Sequence, residues 1–487
     1  MSLKNLSVDF AFYGLLDLLQ RSVGLVMVPL YTRVLSQREY GDLDIILIVS
    51  VVLLVVVDLQ FVSGFQRFFL RYRSEGQGRR FVGTVIMSRL IGGTAISAVF
   101  IFLGLSGHIE FKALPSFAGH STAWILAATL VPVSLTYEIL LIQTRMLRWK
   151  TSFAIGAVSN TVISCVVSVL LVVVLKWGIA GVVLGLLLGK LIGMLFMAWA
   201  LRDEIDPCLD RTVLKVLVPY CAPLIPGWWV GFGSAYVGRF FIYGAQGADE
   251  NAILAVCMKV TAVIGLYSVS FRSAWQPLAM AYIGDTSGEA FYVSSMRLFS
   301  AGLLLSIFCL AAFLHPLLAV LTPGSYGAVE YYFPLFAVGT LIGECESNLQ
   351  LGNQIARTTH WIAISSLVSV VINIGILMVF TQSLGIVAVG LGLALSSLGK
   401  GLVTYVSAQR SCRIPYDTRS LVLMGVGCAG LLFLGFGMQR RLILGWVFSG
   451  CAALLGIAVP WFMLAPVERQ QITRLVKARL LTRQATP

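Results

Sequence analysis

Charge is scarce in this sequence. Asp, Glu, Lys and Arg make up 12% of its 487 residues, against ~25% in ordinary soluble domains. Hydrophobic residues make up 58% and the mean hydropathy is +0.89. These values exclude a soluble globular enzyme, a disordered chain and a fibrous protein, and leave a polytopic membrane protein. Metal-ligating clusters are lacking too. The four His residues (His108, His120, His315 and His360) are scattered, and the nine Cys residues form no C-x-x-C pair. Most of the Cys sit in apolar runs, so no metal site and no disulfide framework is expected. No loop between apolar runs is long enough to fold as a further domain. The first apolar stretch carries Asp17 and Arg21 and has no convincing cleavage site, so it reads as a retained span.

The sequence does have long hydrophobic runs. A bilayer core of ~30 Å needs ~20 apolar residues per helix. Apolar runs between charge and turn clusters place about fourteen spans, near 10–30, 43–64, 83–105, 121–143, 153–175, 178–200, 214–238, 251–271, 297–320, 332–352, 361–381, 386–407, 420–438 and 442–464. The expected fold class is an all-α polytopic membrane protein. Pro223 and Pro226, at the start of the seventh span, are candidate hinges, because membrane helices tolerate proline where neighbours re-satisfy the backbone.

The 35 Lys and Arg outnumber the 22 Asp and Glu and give a formal charge of +13. On a soluble protein that excess would suggest nucleic acid. Here 23 basic residues fall in one set of alternating loops, 7 in the other, and Arg21, Arg89, Lys190, Lys259 and Lys400 lie inside spans. The positive-inside rule then places both termini in the cytoplasm, which needs an even number of spans.

The chain also repeats. Gly-Ile-Ala-Gly-Val-Val-Leu-Gly-Leu-Leu-Leu begins at Gly178 and Gly-Ile-Val-Ala-Val-Gly-Leu-Gly-Leu-Ala-Leu at Gly385. Gly178/Gly385, Ile179/Ile386, Val182/Val389 and Gly185/Gly392 are among the identical pairs, and Leu-Gly-Lys recurs just beyond, at 188–190 and 398–400, after a three-residue slip. Both copies follow a basic loop, a span and a short outer loop, so the repeat is parallel. It implies an N-terminal lobe over 1–205 (helices 1–6), a C-terminal lobe over 206–412 (helices 7–12), and helices 13–14 with a basic tail over 413–487. Repeated lobes with a site at their interface are a transporter layout.

An ionisable residue inside a span is costly and tends to face a partner or a wet cavity. Asp17 and Arg21 share a helix face at i, i+4. They form a local ion pair, or Arg21 faces the cavity with Asp17 tuning it. Lys190 and Lys400 occupy corresponding spans and either line a cavity or snorkel toward headgroups. Lys259 is a further deep cation, while Arg89, nearer a helix end, is able to snorkel. Asp58, Glu138, Glu344 and Glu346 pair with these cations or exchange an ion with a gradient. A chamber lined by lysine and arginine suits phosphate or pyrophosphate rather than an organic cation.

Four runs then carry a family resemblance: Val-Pro-Tyr-Cys-Ala-Pro-Leu-Ile-Pro at 218–226, Val-Gly-Arg-Phe-Phe-Ile at 237–242, Met-Lys-Val at 258–260 and Phe-Arg-Ser-Ala-Trp-Gln-Pro-Leu at 271–278. With Val-Pro-Leu-Tyr-Thr-Arg-Val-Leu at 28–35 and Glu-Tyr-Gly-Asp-Leu at 39–43, the whole chain resembles the Wzx-type polysaccharide flippases. These belong to the multidrug/oligosaccharidyl-lipid/polysaccharide exporter superfamily. It departs from them at Gly238, where the family often has Asp, and at 254–257, where the family often has a Tyr-Ser stretch. The resemblance implies two six-helix lobes around a V-shaped central cavity. It also implies translocation of an undecaprenyl-pyrophosphate-linked oligosaccharide to the outer leaflet by alternating access, in the bacterial plasma (inner) membrane, for O-antigen or other surface polysaccharide.

On this reading the chain is not an enzyme. Arg21, Lys190, Lys259 and Lys400 hold the pyrophosphate or acidic sugars. Asp17, Asp58, Glu138 and Glu344 tune the site or couple it to protons or sodium. No other cofactor is expected. The partners are the lipid-linked oligosaccharide, membrane lipids, and polymerase and chain-length proteins, with no nucleic acid. The alternatives are a peptidoglycan or teichoic-acid precursor flippase, a multidrug/cation antiporter on the same fold, and a membrane polymerase or glycosyltransferase. The antiporter would use acids to bind cations, and the enzyme would carry a sizeable polar loop with clustered carboxylates.

Overall fold

The computed structural model describes residues 26–108, 112–282, 288–356, 358, 360–439, 445–466 and 468–470, together with Leu16 and Gly24. Asp17 and Arg21 lie outside the described residues. Among the described residues the fold is all helical. Ten helices are long and apolar enough to cross a membrane, and two further apolar helices follow near the C-terminus. The spans expected after the first fall on helices, but 43–64, 214–238 and 297–320 each run across a break between two helices. The described helices are α1 (Val28–Val34), α2 (Gln37–Asp58), α3 (Phe61–Ser74), α4 (Gly78–Leu105), α5 (Ser121–Met146), α6 (Lys150–Val169), α7 (Gly178–Ala200), α8 (Arg211–Cys221), α9 (Ile225–Gln246) and α10 (Ala248–Ala281). They continue with α11 (Gly288–Ala312), α12 (Leu314–Leu321), α13 (Val329–Leu349), α14 (Leu351–Ile355), α15 (His360–Leu384), α16 (Ile386–Ser411), α17 (Thr418–Gln439) and α18 (Gly445–Met463). The chain divides into two compact units, Met1–Ala255 and Val256–Pro487, and the division falls within α10.

In the first unit, α2 opens with a capping box. The Ser36 hydroxyl accepts from the Glu39 backbone N–H at 3.2 Å, and the Glu39 carboxylate accepts from the Ser36 N–H at 2.9 Å. Two donors that a helix start leaves unpaired are satisfied this way. Leu59 and Gln60 end α2 in the left-handed region, with φ of 47° and 61°. The chain then turns into α3, which is amphipathic. Phe61, Phe65 and Phe69 recur every four residues and are buried, while Arg67, Arg71 and Arg73 are exposed. The phenylalanine stripe packs with Phe81 of α4 and with Val213, Leu217 and Cys221 of α8. Burying one such aromatic contributes roughly 1.5–3 kcal/mol, so the stripe holds α3 and α8 to the bundle.

The repeated glycine segments have a structural cause. Gly178 and Gly385 both adopt φ of 55°, a conformation that an L side chain takes at a cost of roughly 1–2 kcal/mol. Each glycine turns one long helix back along the previous one, giving the hairpins α6–α7 and α15–α16. The second repeated glycine of each copy sits where the two helices approach. A Cβ on Gly185 would lie 2.1 Å from the Ser168 hydroxyl and 2.7 Å from its backbone nitrogen. One on Gly392 would lie 2.7 Å from Asn373 Oδ1. In the first hairpin the last turn of the outgoing helix, Leu170–Val174, widens to a π-helix.

Gly185→Ala is therefore expected to force the α6–α7 hairpin apart at a cost of about 1–3 kcal/mol. Gly233→Ala on α9, where a Cβ meets nothing within 4 Å, should not destabilise. Thermal unfolding of the two purified variants in detergent checks the contrast; equal midpoints would show that the hairpin does not depend on the close approach.

Candidate functional site

In the first unit the deep charges converge on α5. Arg89 of α4 is wholly buried, not snorkelling as its place near a helix end suggested. Its Nη2 donates to Glu138 Oε2 of α5 at 2.8 Å and lies 2.7 Å from Asp58 Oδ1 of α2. The second contact lacks hydrogen-bond alignment and is an ion contact. Asp58 is buried and Glu138 about half exposed. Burying an ion costs several kcal/mol unless a partner compensates. One guanidinium between two carboxylates from different helices supplies that compensation and ties α2, α4 and α5 together.

One turn before Glu138 on α5, the Ser134 hydroxyl accepts from Lys190 Nζ of α7 at 2.9 Å. Among the described residues the Lys190 ammonium makes no ion pair. It reaches a cavity of about 230 Å³ lined by α2 (Leu47, Ser50, Val51, Leu54), α5 (Leu130, Val131, Ser134) and α7 (Leu186, Lys190). The walls are apolar except for the lysine and the two serines. Ser50 donates to its own helix, at the Ile46 carbonyl. The cavity is thus an apolar chamber with one cationic end.

The second unit repeats the theme with the charges more fully matched. Glu346 of α13 is buried, and one of its oxygens lies 2.9 Å from Lys400 Nζ of α16. Its other oxygen accepts from the Thr404 hydroxyl at 2.7 Å, and Gln350 donates to both. Glu344, two residues earlier, pairs with Arg272 of α10 at 2.7 Å. Lys259, on α10, is half-buried. Lys190 and Lys400, which end the same tripeptide three residues out of register, differ: one donates to a neutral hydroxyl beside a cavity, the other to a buried carboxylate. Pro223 and Pro226 sit where helical hydrogen bonding is interrupted. A 3-10 turn, Ala222–Leu224, separates α8 from α9, and Pro226 lies in the first turn of α9. There its missing N–H removes no helical bond.

Sequence reasoning missed a polar network at the first turns of α2. Asp44 pairs with Arg239 of α9 at 2.8 Å, and Asp42 accepts from Tyr243, one turn along α9. His120 Nε2, just before α5, lies 3.3 Å from Asp42. The Asn251 amide of α10 donates to the Gly41 carbonyl at 3.0 Å. The i, i+4 spacing of Arg239 and Tyr243 was the available signal, but nothing in sequence tied it to two aspartates some 200 residues away.

Near the start of α17, Asp417 faces Arg297 of α11 at 3.4 Å, while Glu468 holds that guanidinium at 2.9 Å. Burial alone would raise the Asp417 carboxyl. The Ser420 hydroxyl, the Arg419 backbone N–H and the Arg297 charge outweigh it and hold the group below the usual carboxylate range. A lowered folded value contributes stability that is present above the unfolded value of ~3.9 and lost as pH falls through the folded one.

Two outcomes follow for these charges. Arg89→Ala, which strands two carboxylates, should cost about 3–5 kcal/mol, and Asp58→Asn in the same chain should restore part of the loss. Thermal unfolding of the single and double variants measures the coupling, and strict additivity would refute it. For Asp417→Asn, the unfolding midpoint should lie below wild type near neutral pH, and the two should converge on acidification toward about pH 3. A gap independent of pH would show that the carboxylate charge is not what matters.

The model of the family described as "Polysaccharide biosynthesis protein" matches residues 8–283, more than half of the chain. No curated protein matches the sequence. Among solved structures, a lipid II flippase MurJ in an inward closed conformation superposes with a TM-score of 0.72 at 14% identity, over 95% of this chain and 99% of that one. An inward-facing multidrug resistance MATE family transporter of the MOP superfamily gives 0.58 at 15% identity, over 80% of this chain and 93% of that one. An outward-facing conformation of such a transporter gives 0.54 at 15%, over 82% and 95%. At these identities the structures speak for the fold, and the match to the family model speaks for membership. The chain is a multi-pass membrane protein of the polysaccharide biosynthesis protein family, on the fold shared by MurJ and the MATE transporters, as its resemblance to the Wzx-type flippases implied.

Proposed function

We propose that this protein flips an undecaprenyl-pyrophosphate-linked oligosaccharide from the cytoplasmic to the outer leaflet of the bacterial inner membrane, by alternating access, for surface polysaccharide assembly. Both termini are cytoplasmic. The two six-helix lobes, 1–205 and 206–412, rock about the proline-bearing break at Pro223 and Pro226, with helices 13–14 over 413–487 outside the transport core. Arg21, Lys190, Lys259 and Lys400 bind the anionic head. Asp17, Asp58, Glu138 and Glu344 set how much of that positive charge is free, and an ion gradient biases the cycle. Polymerase and chain-length proteins would take up the product.

The observation that carries this reading is Lys190. Its ammonium reaches a cavity and is not neutralised by an ion pair among the described residues. Attraction between unit charges ~4 Å apart is roughly 4 kcal/mol at an effective dielectric of 20, enough to select an anion over a neutral solute. A cation antiporter would need free carboxylates. Asp58, Glu138, Glu344 and Glu346 are each in contact with a guanidinium or ammonium. A second reading, a flippase for a peptidoglycan precursor, draws on the MurJ likeness of the fold. The family match favours a polysaccharide precursor.

Cells lacking the protein should accumulate one complete repeat unit on its lipid carrier. Analysis of the lipid-linked intermediates decides the matter: missing sugars on the carrier would point to an enzyme, and accumulated peptidoglycan precursor to the second reading. Lys190→Ala should abolish polysaccharide export at normal protein level, and full export in that variant would remove the cationic site.

A further inference from the structure

The Lys190 cavity has a chemistry that an oligosaccharide does not match. Each sugar ring presents several hydroxyl groups that need hydrogen-bond partners once they leave water. The cavity offers Lys190, Ser134 and Ser50, and the two serines are already engaged. Its remaining walls, Leu47, Leu54, Val131 and Leu186 among them, are hydrocarbon.

What does match is an anion joined directly to hydrocarbon. No carboxylate lines the cavity. The acid nearest along α5, Glu138, is one turn from Ser134 and engaged by Arg89 at 2.8 Å. An oxyanion entering the chamber would accept from Lys190 Nζ, and from the Ser134 hydroxyl once that hydroxyl rotates. The hydrocarbon attached to it would lie along the leucine and valine walls. Charge at one end and apolar surface over the rest select an amphipathic phosphate over a bare one.

We propose that this cavity binds the phosphate of the lipid carrier together with the first carbons of its chain, and leaves the glycan outside. The proposal rests on the flippase reading and assigns Lys190 to the junction that every carrier-linked substrate shares. Specificity for sugars then lies elsewhere, and the cavity tolerates glycans of different composition.

The test uses the full-length protein in nanodiscs, with protein-free nanodiscs as blank, titrated with farnesyl phosphate, inorganic pyrophosphate and farnesol. The probes are followed by phosphorus NMR for the anions and by competition for the alcohol. Farnesyl phosphate should bind saturably. Lys190→Ala should weaken it at least about tenfold. Val51→Phe, which fills the apolar part and keeps the lysine, should weaken farnesyl phosphate but not pyrophosphate. Lys190→Gln replaces the alanine variant if that fails to fold. Pyrophosphate binding as tightly as farnesyl phosphate would mean a bare anion site and overturn the proposal. Farnesol competing equally would mean an apolar crevice and overturn it too. So would displacement of farnesyl phosphate by a soluble oligosaccharide. Failure here with repeat units still stranded in the deletion strain would leave the flippase reading standing; binding without stranded intermediates would keep the cavity assignment and remove that reading.

Discussion

A charge carried into hydrocarbon must be matched by a neighbour, and both units are arranged around that requirement. The cost of an unpaired buried ion is several kcal/mol, comparable with the whole stability of a domain. In the first unit Arg89 answers two carboxylates from two other helices. In the second, Glu346 and Glu344 each meet a cation from a different helix. Glu138 sits on α5, Asp58 on α2, and Glu344 and Glu346 on α13. The charged pairs therefore act as cross-links between helices as well as features of a site.

Against that background the departure is Lys190. Lys400, which ends the same tripeptide, is neutralised by a carboxylate 2.9 Å away, whereas Lys190 donates to a hydroxyl and reaches a cavity. The same tripeptide thus ends in a lysine matched by a carboxylate in one unit and in a lysine beside a cavity in the other. The hairpins that carry the two lysines keep the same construction. Gly178 and Gly385 share a φ of 55°, and Gly185 and Gly392 each face the preceding helix with no room for a side chain.

The network of Asp42, Asp44, His120, Arg239, Tyr243 and Asn251 applies the same rule nearer the helix ends. It joins the start of α2 to α9, α10 and the residue before α5, all within the first unit. Gly41 lets the α10 backbone approach so closely that an added Cβ would lie 1.9 Å from the Ala248 carbonyl oxygen. The polar contacts and this packing hold the same junction, so the glycine and the aspartates serve one purpose.

Much of this was legible in the sequence. Scarce charge and long apolar runs specify helices, because a bilayer leaves no other way to pair the backbone. The spans followed from length and pattern alone. So did the short list of deep ionisable residues, because few charges are tolerated there. What the sequence left open was which charge meets which. Lys190 and Lys400 carry the same tripeptide, and only the helix packed against each decides whether the ammonium faces Ser134 or Glu346. Arg89 looked able to snorkel until Asp58 and Glu138, 31 residues before it and 49 after, closed around it. Pairing depends on distances between helices remote in sequence. Hydropathy fixes that a residue is in the membrane, while tertiary packing fixes what it touches there.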